Sequence, residues 1–226
     1  MPALPALPVR PAPPGRAGDG AAPRRRGQAR AENRERIVDA ALQVFARAGF
    51  DGATMAAIAD ACGLPKANLH YYFGSKTALY REVLAATLRD WLVPIDGLVA
   101  DADPRSALER YIRAKMAMSA ARPDASRVFA NELLHGAPVL GELLRGELQA
   151  TVRRKAAVID GWIAAGQMAP VDSTHLFFTI WAATQTYADF DVQVRAVLGR
   201  SQLGAADHER ATAHVVNLLL RGCGFG

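Results

Sequence analysis

Glycines at 49, 63 and 74 cut the stretch from Ile37 to Leu79 into pieces too short to fold alone. A helix of fewer than about 12 residues is marginal in water, so pieces of this length persist only when packed on one another. Each piece nevertheless reads as a helix. From Glu32 onward, Ile37, Ala40, Ala41, Val44, Phe45 and Ala48 recur at helical spacing, and Gly49 follows as a C-terminal stop. Thr54 is a good N-cap for a second helix with Met55, Ile58, Ala59 and Cys62 inward. Gly63 supplies the turn, Pro65 opens a third helix where its missing N–H costs nothing, and Gly74 ends it. Ser75 caps a longer fourth helix that runs through Leu79, Val83, Leu84 and Leu88 to Trp91, with Pro94 closing it.

The same punctuation continues. Asp103 and Pro104 open a helix to Ala121, Pro123 opens one ending near Gly136, and a long helix spans 138–166. Asp172 caps a helix reaching Leu198, and the last spans 205–221. No alternating strand pattern, fixed repeat or glycine-rich phosphate loop interrupts this series. The expected fold is therefore all-α. A three-helix helix-turn-helix module at 31–80 precedes a helical ligand-binding and dimerisation domain at 81–226.

Residues 1–30 differ in kind. Seven of the 13 prolines lie between Pro2 and Pro23, among arginines and with no continuous apolar run, so the segment reads as a disordered tail. Proline this frequent also breaks the amphipathic helix of a transit peptide. The tail's six arginines against Asp19 account for the whole formal charge of +5, which leaves 31–226 neutral. Any DNA contact by the folded part must then rest on a few placed cations, with the Arg24–Arg26 run as a further candidate. No apolar run approaches the roughly 18 residues of a membrane span. Cys62 and Cys223 give no sign of an oxidising compartment, so a cytoplasmic protein without membrane contact is expected.

Residues 54–73 carry the main functional signal. Two short helices across a glycine turn have the layout of a helix-turn-helix, and the second is small enough to lie in a major groove. Its outward residues are Lys66, Ala67, Asn68, His70 and Tyr71, while Leu69 and Phe73 hold it to the module. Spacing alone leaves an ordinary helical hairpin equally open. Phe45, Gly49-Phe50, Thr54, Ile58-Ala59, 61–64 (ACGL), Leu69, Tyr72-Phe73, Ser75-Lys76 and Leu79 resemble the DNA-binding signature of the TetR family of repressors over about 50 residues. The resemblance implies that Thr54, Lys76 and Tyr71 or Tyr72 contact phosphates of double-stranded operator DNA, while Lys66, Ala67 and Asn68 read bases. Two positions depart from the family pattern: Pro65 replaces the common Ser or Thr cap, and His70 a common phosphate-binding Tyr.

Three further stretches, 88–94 (LRDWLVP), 122–127 (RPDASR) with 131–138 (NELLHGAP), and 180–190 (IWAATQTYADF), resemble the pyrimidine-responsive repressors of that family. This implies an effector such as uracil or thymine that releases DNA on binding. The residue chemistry agrees. A pyrimidine has a flat face and an edge of alternating acceptors and donors. Trp181 offers a plane and Gln185 an amide with both functions, four residues apart on one helix face. Trp91 is placed to link the ligand domain to the DNA module, with Phe129, Asn131, Glu132 and Tyr187 as further candidates. Two readings compete with this one. The tryptophans could be core with Gln185 at a dimer seam, or the effector could be a hydrophobic drug-like or acyl molecule. A homodimer is expected through the last two helices, with Leu176, Ile180, Val215, Leu218 and Leu219 across a two-fold axis. A helical enzyme is the outlying reading. His135, His175, His208 and His214 lack metal-ligand spacing, and Asp189 and Asp191, two apart, face different ways. No catalytic residue, metal or cofactor is expected.

Overall fold

The computed structural model describes residues 21–226, and within them the fold is helical throughout. Helix α1 (Ala21–Gly52) begins ten residues earlier than the tail boundary predicts, so 21–30 continue the helix and only 1–20 lie outside the described residues. Its regular part stops at Gly49, whose φ of +67° is open to glycine and strained for other residues.

Helices α2 (Met55–Cys62), α3 (Lys66–Phe73) and α4 (Lys76–Leu92) follow with the expected caps. Thr54 Oγ1 accepts from the Ala57 amide and Ser75 Oγ from the Ala78 amide, each at 3.1 Å. Gly63 turns in the left-handed region. Pro65 sits one position before the third helix instead of at its first residue, and caps nothing with its side chain. Ile37, Phe45, Ile58, Leu69, Leu79 and Leu84 close a core between these helices. That core is not confined to 31–80. Ala125, Val128 and Phe129 of α6 (Pro123–Leu134) pack into it, so α6 serves the DNA module as much as the domain behind it.

The second core joins α5 (Pro104–Ala121), α8 (Gln149–Ala164), α9 (Ser173–Asp189) and α11 (Ala205–Gly222) around Tyr111, Ile112, Ile159, Trp162, Phe177 and Ile180. Two predicted long helices are broken. The 138–166 helix resolves into α7 (Gly141–Leu143), a π-turn at Leu144–Leu148, and α8. The 172–198 helix stops at Asp189; Phe190 leaves helical geometry, and α10 (Asp191–Leu198) starts afresh with Asp191 held to Arg195 at 2.9 Å. Neither break is marked by proline, which is why periodicity runs through both.

The dimer residues also need correction. Leu176, Ile180, Val215 and Leu219 are buried in the protomer's own core, and of the five only Leu218 remains outward, 62% exposed.

Candidate DNA-reading face and effector cavity

Helix α3 presents the expected face. Leu69 is wholly buried and anchors it, while Lys66, Ala67, His70 and Tyr71 are exposed and Asn68 is half-exposed. Tyr71 stands 71% exposed with its ring edge-on to Tyr72 at 5.4 Å. Tyr72 is half-buried, so of the two phenols Tyr71 is the one offered to solvent. His70 Nδ1 lies 3.1 Å from the Gly74 carbonyl. A carbonyl only accepts, so Nδ1 is the donor in this contact. Thr54 spends an oxygen lone pair on its cap and keeps its own O–H to donate, beside the unpaired amides of a helix N-terminus.

Lys76 is committed elsewhere than its motif implies. Its Nζ donates to the carbonyls of Phe50 at 2.7 Å, Ala53 at 3.0 Å and Asp51 at 3.3 Å, and lies 4.5 Å from the centre of the Phe50 ring. All three ammonium protons are therefore used in tying the start of α4 to the end of α1.

The joint between module and domain is built from a buried carboxylate. Glu132 on α6 accepts from the amides of Val139 at 2.7 Å and Leu140 at 3.0 Å, and its carboxylate also bonds the Tyr80 hydroxyl on α4. Burial first, and then the neighbouring Glu132 charge, push the Tyr80 phenol well above its ordinary range, so it stays a donor. At the rim, Arg122 pairs with Asp90 at 2.7 Å and with Asp39 at 3.6 Å.

Four of the seven expected effector residues meet around one cavity of about 200 Å³. Leu88, Trp91 and Leu92 come from α4, Phe129 and Leu133 from α6, and Trp181 and Gln185 from α9. Leu144 and Leu148 come from the π-turn, an irregularity that recurs at functional sites. Trp91 and Phe129 pack with ring centres 4.8 Å apart. Trp181 is pinned as a wall, because its indole N–H donates to Tyr111 Oη at 2.8 Å and its ring lies against Phe177 and Phe178. Among the described residues, Gln185 makes no hydrogen bond, so its amide is available to a guest.

Lys115 of α5 completes the wall and was missed in the sequence. It is 2% exposed, with Nζ 4.3 Å from the centre of the Trp91 ring. Burial brings its ammonium down to about 8, against the upward pull of Asp189. The signal was present. Leu108, Tyr111, Ile112, Lys115, Met116 and Ser119 form one helical stripe, and a lysine sits inside it.

The other three candidates lie away from the cavity. Asn131 follows Phe129 by two residues, about 200° around the helix, and faces an outer groove with Phe45 and Tyr80. Glu132 is occupied by the joint. Tyr187 follows Gln185 by two and lines a separate polar cleft with Arg127, Arg195 and His208.

Comparison with known proteins identifies the family. Residues 37–83 match the family described as bacterial regulatory proteins, tetR family, and residues 84–225 match the family described as YcdC-like protein, C-terminal region. The chain belongs to the TetR family of bacterial transcriptional regulators. Within it, the chain is 41% identical over 198 residues to the HTH-type transcriptional regulator RutR of Escherichia coli K12, covering 88% of this chain and 93% of that one. The biofilm operon regulator IcaR of Staphylococcus aureus is 37% identical over 49 residues, 22% of this chain and 26% of that one. The fold is also that of the ketosteroid regulator KstR2 of Mycobacterium tuberculosis (TM-score 0.66, 18% identity, covering 84% and 94% of the two chains). The fatty acid degradation regulator FadR of Bacillus halodurans superposes similarly (TM-score 0.62, 21% identity, 83% and 94%). None of the described helices is long and apolar enough to cross a membrane.

Proposed function

We propose that this regulator is a homodimeric repressor that binds a near-palindromic operator and leaves it when a pyrimidine base, uracil or thymine, enters the cavity. The observation that carries the reading is the convergence of Trp181 and Gln185 with Trp91 on one small cavity. A flat wall and an unpaired amide suit a planar ring with a donor–acceptor edge, and about 200 Å³ is below the roughly 300–1,000 Å³ usual for drug-sized ligands. The cavity connects to the DNA module through α4. Trp91 is near one end of α4 and Lys76, packed on α1, begins the other, a span of about 26 Å for 17 residues.

A base wedged against Trp91 favours one setting of α4 and hence one separation of the two α3 helices. Lys66, Ala67 and Asn68 read bases; Thr54, His70 and Tyr71 hold phosphates. Tenfold weaker operator binding needs a differential free energy of only about 1.4 kcal/mol. The dimer uses the outer faces of α9 and α11, where Phe178 and Leu218 stay exposed.

Calorimetric titration with uracil, thymine, adenine and a medium-chain fatty acid tests the ligand class. Binding of the pyrimidines alone supports the reading; binding of the fatty acid alone overturns it in favour of a hydrophobic effector, which the leucine-rich part of the same wall would accept.

A further inference from the structure

Lys115 has no structural justification as a charge. It is buried, and among the described residues its ammonium forms no hydrogen bond or ion pair, its one close partner being the face of Trp91. A cation–π contact returns only part of what an ammonium loses on leaving water. A methionine or leucine would fill the same space at lower cost, so the buried charge is a liability to the empty protein. The groups facing it are few. Asp189 of α9 stands beyond ion-pair contact, held by the Ser126 hydroxyl and drawn on by Arg127, both of α6; burial raises the Asp189 carboxyl and weakens it further as a counter-ion. From α4 the neighbour is the uncharged Trp91, and the π-turn offers leucines.

What such a cation lacks is an oxygen carrying negative charge, and the cavity it lines is where one can arrive. Resting on the pyrimidine reading above, we infer that Lys115 binds a ring carbonyl oxygen of the effector and makes the cavity select 2,4-dioxopyrimidines by ring acidity, preferring the ring anion to the neutral ring. Gln185 reads the donor–acceptor pattern of the edge, and Lys115 reads how much charge the oxygen holds. A charge-assisted bond is roughly twice as strong as a neutral one, and stronger still when the acceptor is itself charged.

The test compares uracil with 5-fluorouracil and 6-azauracil, which are close to it in size but more acidic. Affinities are measured by calorimetry at pH 8 on the wild-type protein and on Lys115→Met. The wild type should bind the two acidic rings about tenfold tighter than uracil, and Lys115→Met should bind all three alike, with uracil weakened roughly tenfold or more. The same substitution should raise the melting temperature of the ligand-free protein, which a lysine kept for packing would not do. Equal binding of the three rings by the wild type, or an acidity preference that survives in Lys115→Met, overturns the role of Lys115 and leaves the pyrimidine reading intact. Failure of the wild type to bind any of the rings overturns both.

Discussion

Replacing Lys76 by methionine separates a structural role from a phosphate-binding one. The substitution keeps the apolar stem over Phe50 and removes the ammonium that serves the carbonyls of Phe50, Asp51 and Ala53. Hydrogen bonds to a charged group contribute about 1.5–3 kcal/mol, but here three share one ammonium, the longest is weak, and the site is half-exposed. A loss of about 2 kcal/mol is the reasonable expectation. Arg36–Gly226 is one compact unit, and for a unit of this size each kcal/mol moves the melting temperature by about 2–4 °C, so Lys76→Met should melt about 4–8 °C lower. Operator affinity is then measured across 50–200 mM salt, well below the melting point. If Lys76 is a staple, the slope of log affinity against log salt stays within about half a unit of wild type per module. A melting temperature that does not move, together with a slope reduced by about one per module, would refute the structural account and restore the phosphate contact.

Other perturbations bear on the remaining parts. Gln185→Ala should weaken uracil by more than about 1 kcal/mol in calorimetry while leaving the melting temperature of the empty protein within error, since the amide makes no internal bond. Asn68→Ala should alter preference at one base position of a selected operator by about 1–3 kcal/mol, whereas Tyr71→Phe should weaken all sequences alike. Stability should respond to pH through Lys115. Its folded value is depressed to about 8 from 10.5, so the unfolded chain binds more protons between these limits and stability rises with pH across that window. Cys223, raised by burial to about 11, pulls the other way above pH 9, so the effect is to be read as the difference between wild type and Lys115→Met in chemical denaturation.

The DNA-reading module was legible because its signals are local. A cap, a glycine with positive φ and a period of 3.6 each act within a few residues, and Thr54, Gly63, Gly74 and Ser75 all do in the structure what their chemistry predicts. The cavity was half legible. Trp181 and Gln185 share a face of one helix, which spacing reveals, but Trp91, Lys115 and Phe129 come from three other helices, and no sequence spacing brings them together. Asn131 and Tyr187 are polar side chains close in sequence to the cavity, but a two-residue offset from Phe129 and Gln185 turns each to the opposite side of its helix. Glu132 shows the second hazard, since a carboxylate set among apolar residues looks like a ligand-binding group when two amides and a phenol already claim it. Helix length was least legible. The π-turn at Leu144–Leu148 and the break at Phe190 preserve apolar periodicity and carry no proline.

The central claim is that occupancy of the cavity by a pyrimidine changes how α3 meets DNA. Operator affinity with and without uracil, at a concentration shown by calorimetry to fill the cavity, tests it most directly. The account predicts at least tenfold weaker operator binding by the wild type, and for Gln185→Ala the same release only at a uracil concentration about fivefold or more higher. Unchanged operator affinity in a wild-type protein whose cavity is demonstrably filled would contradict it.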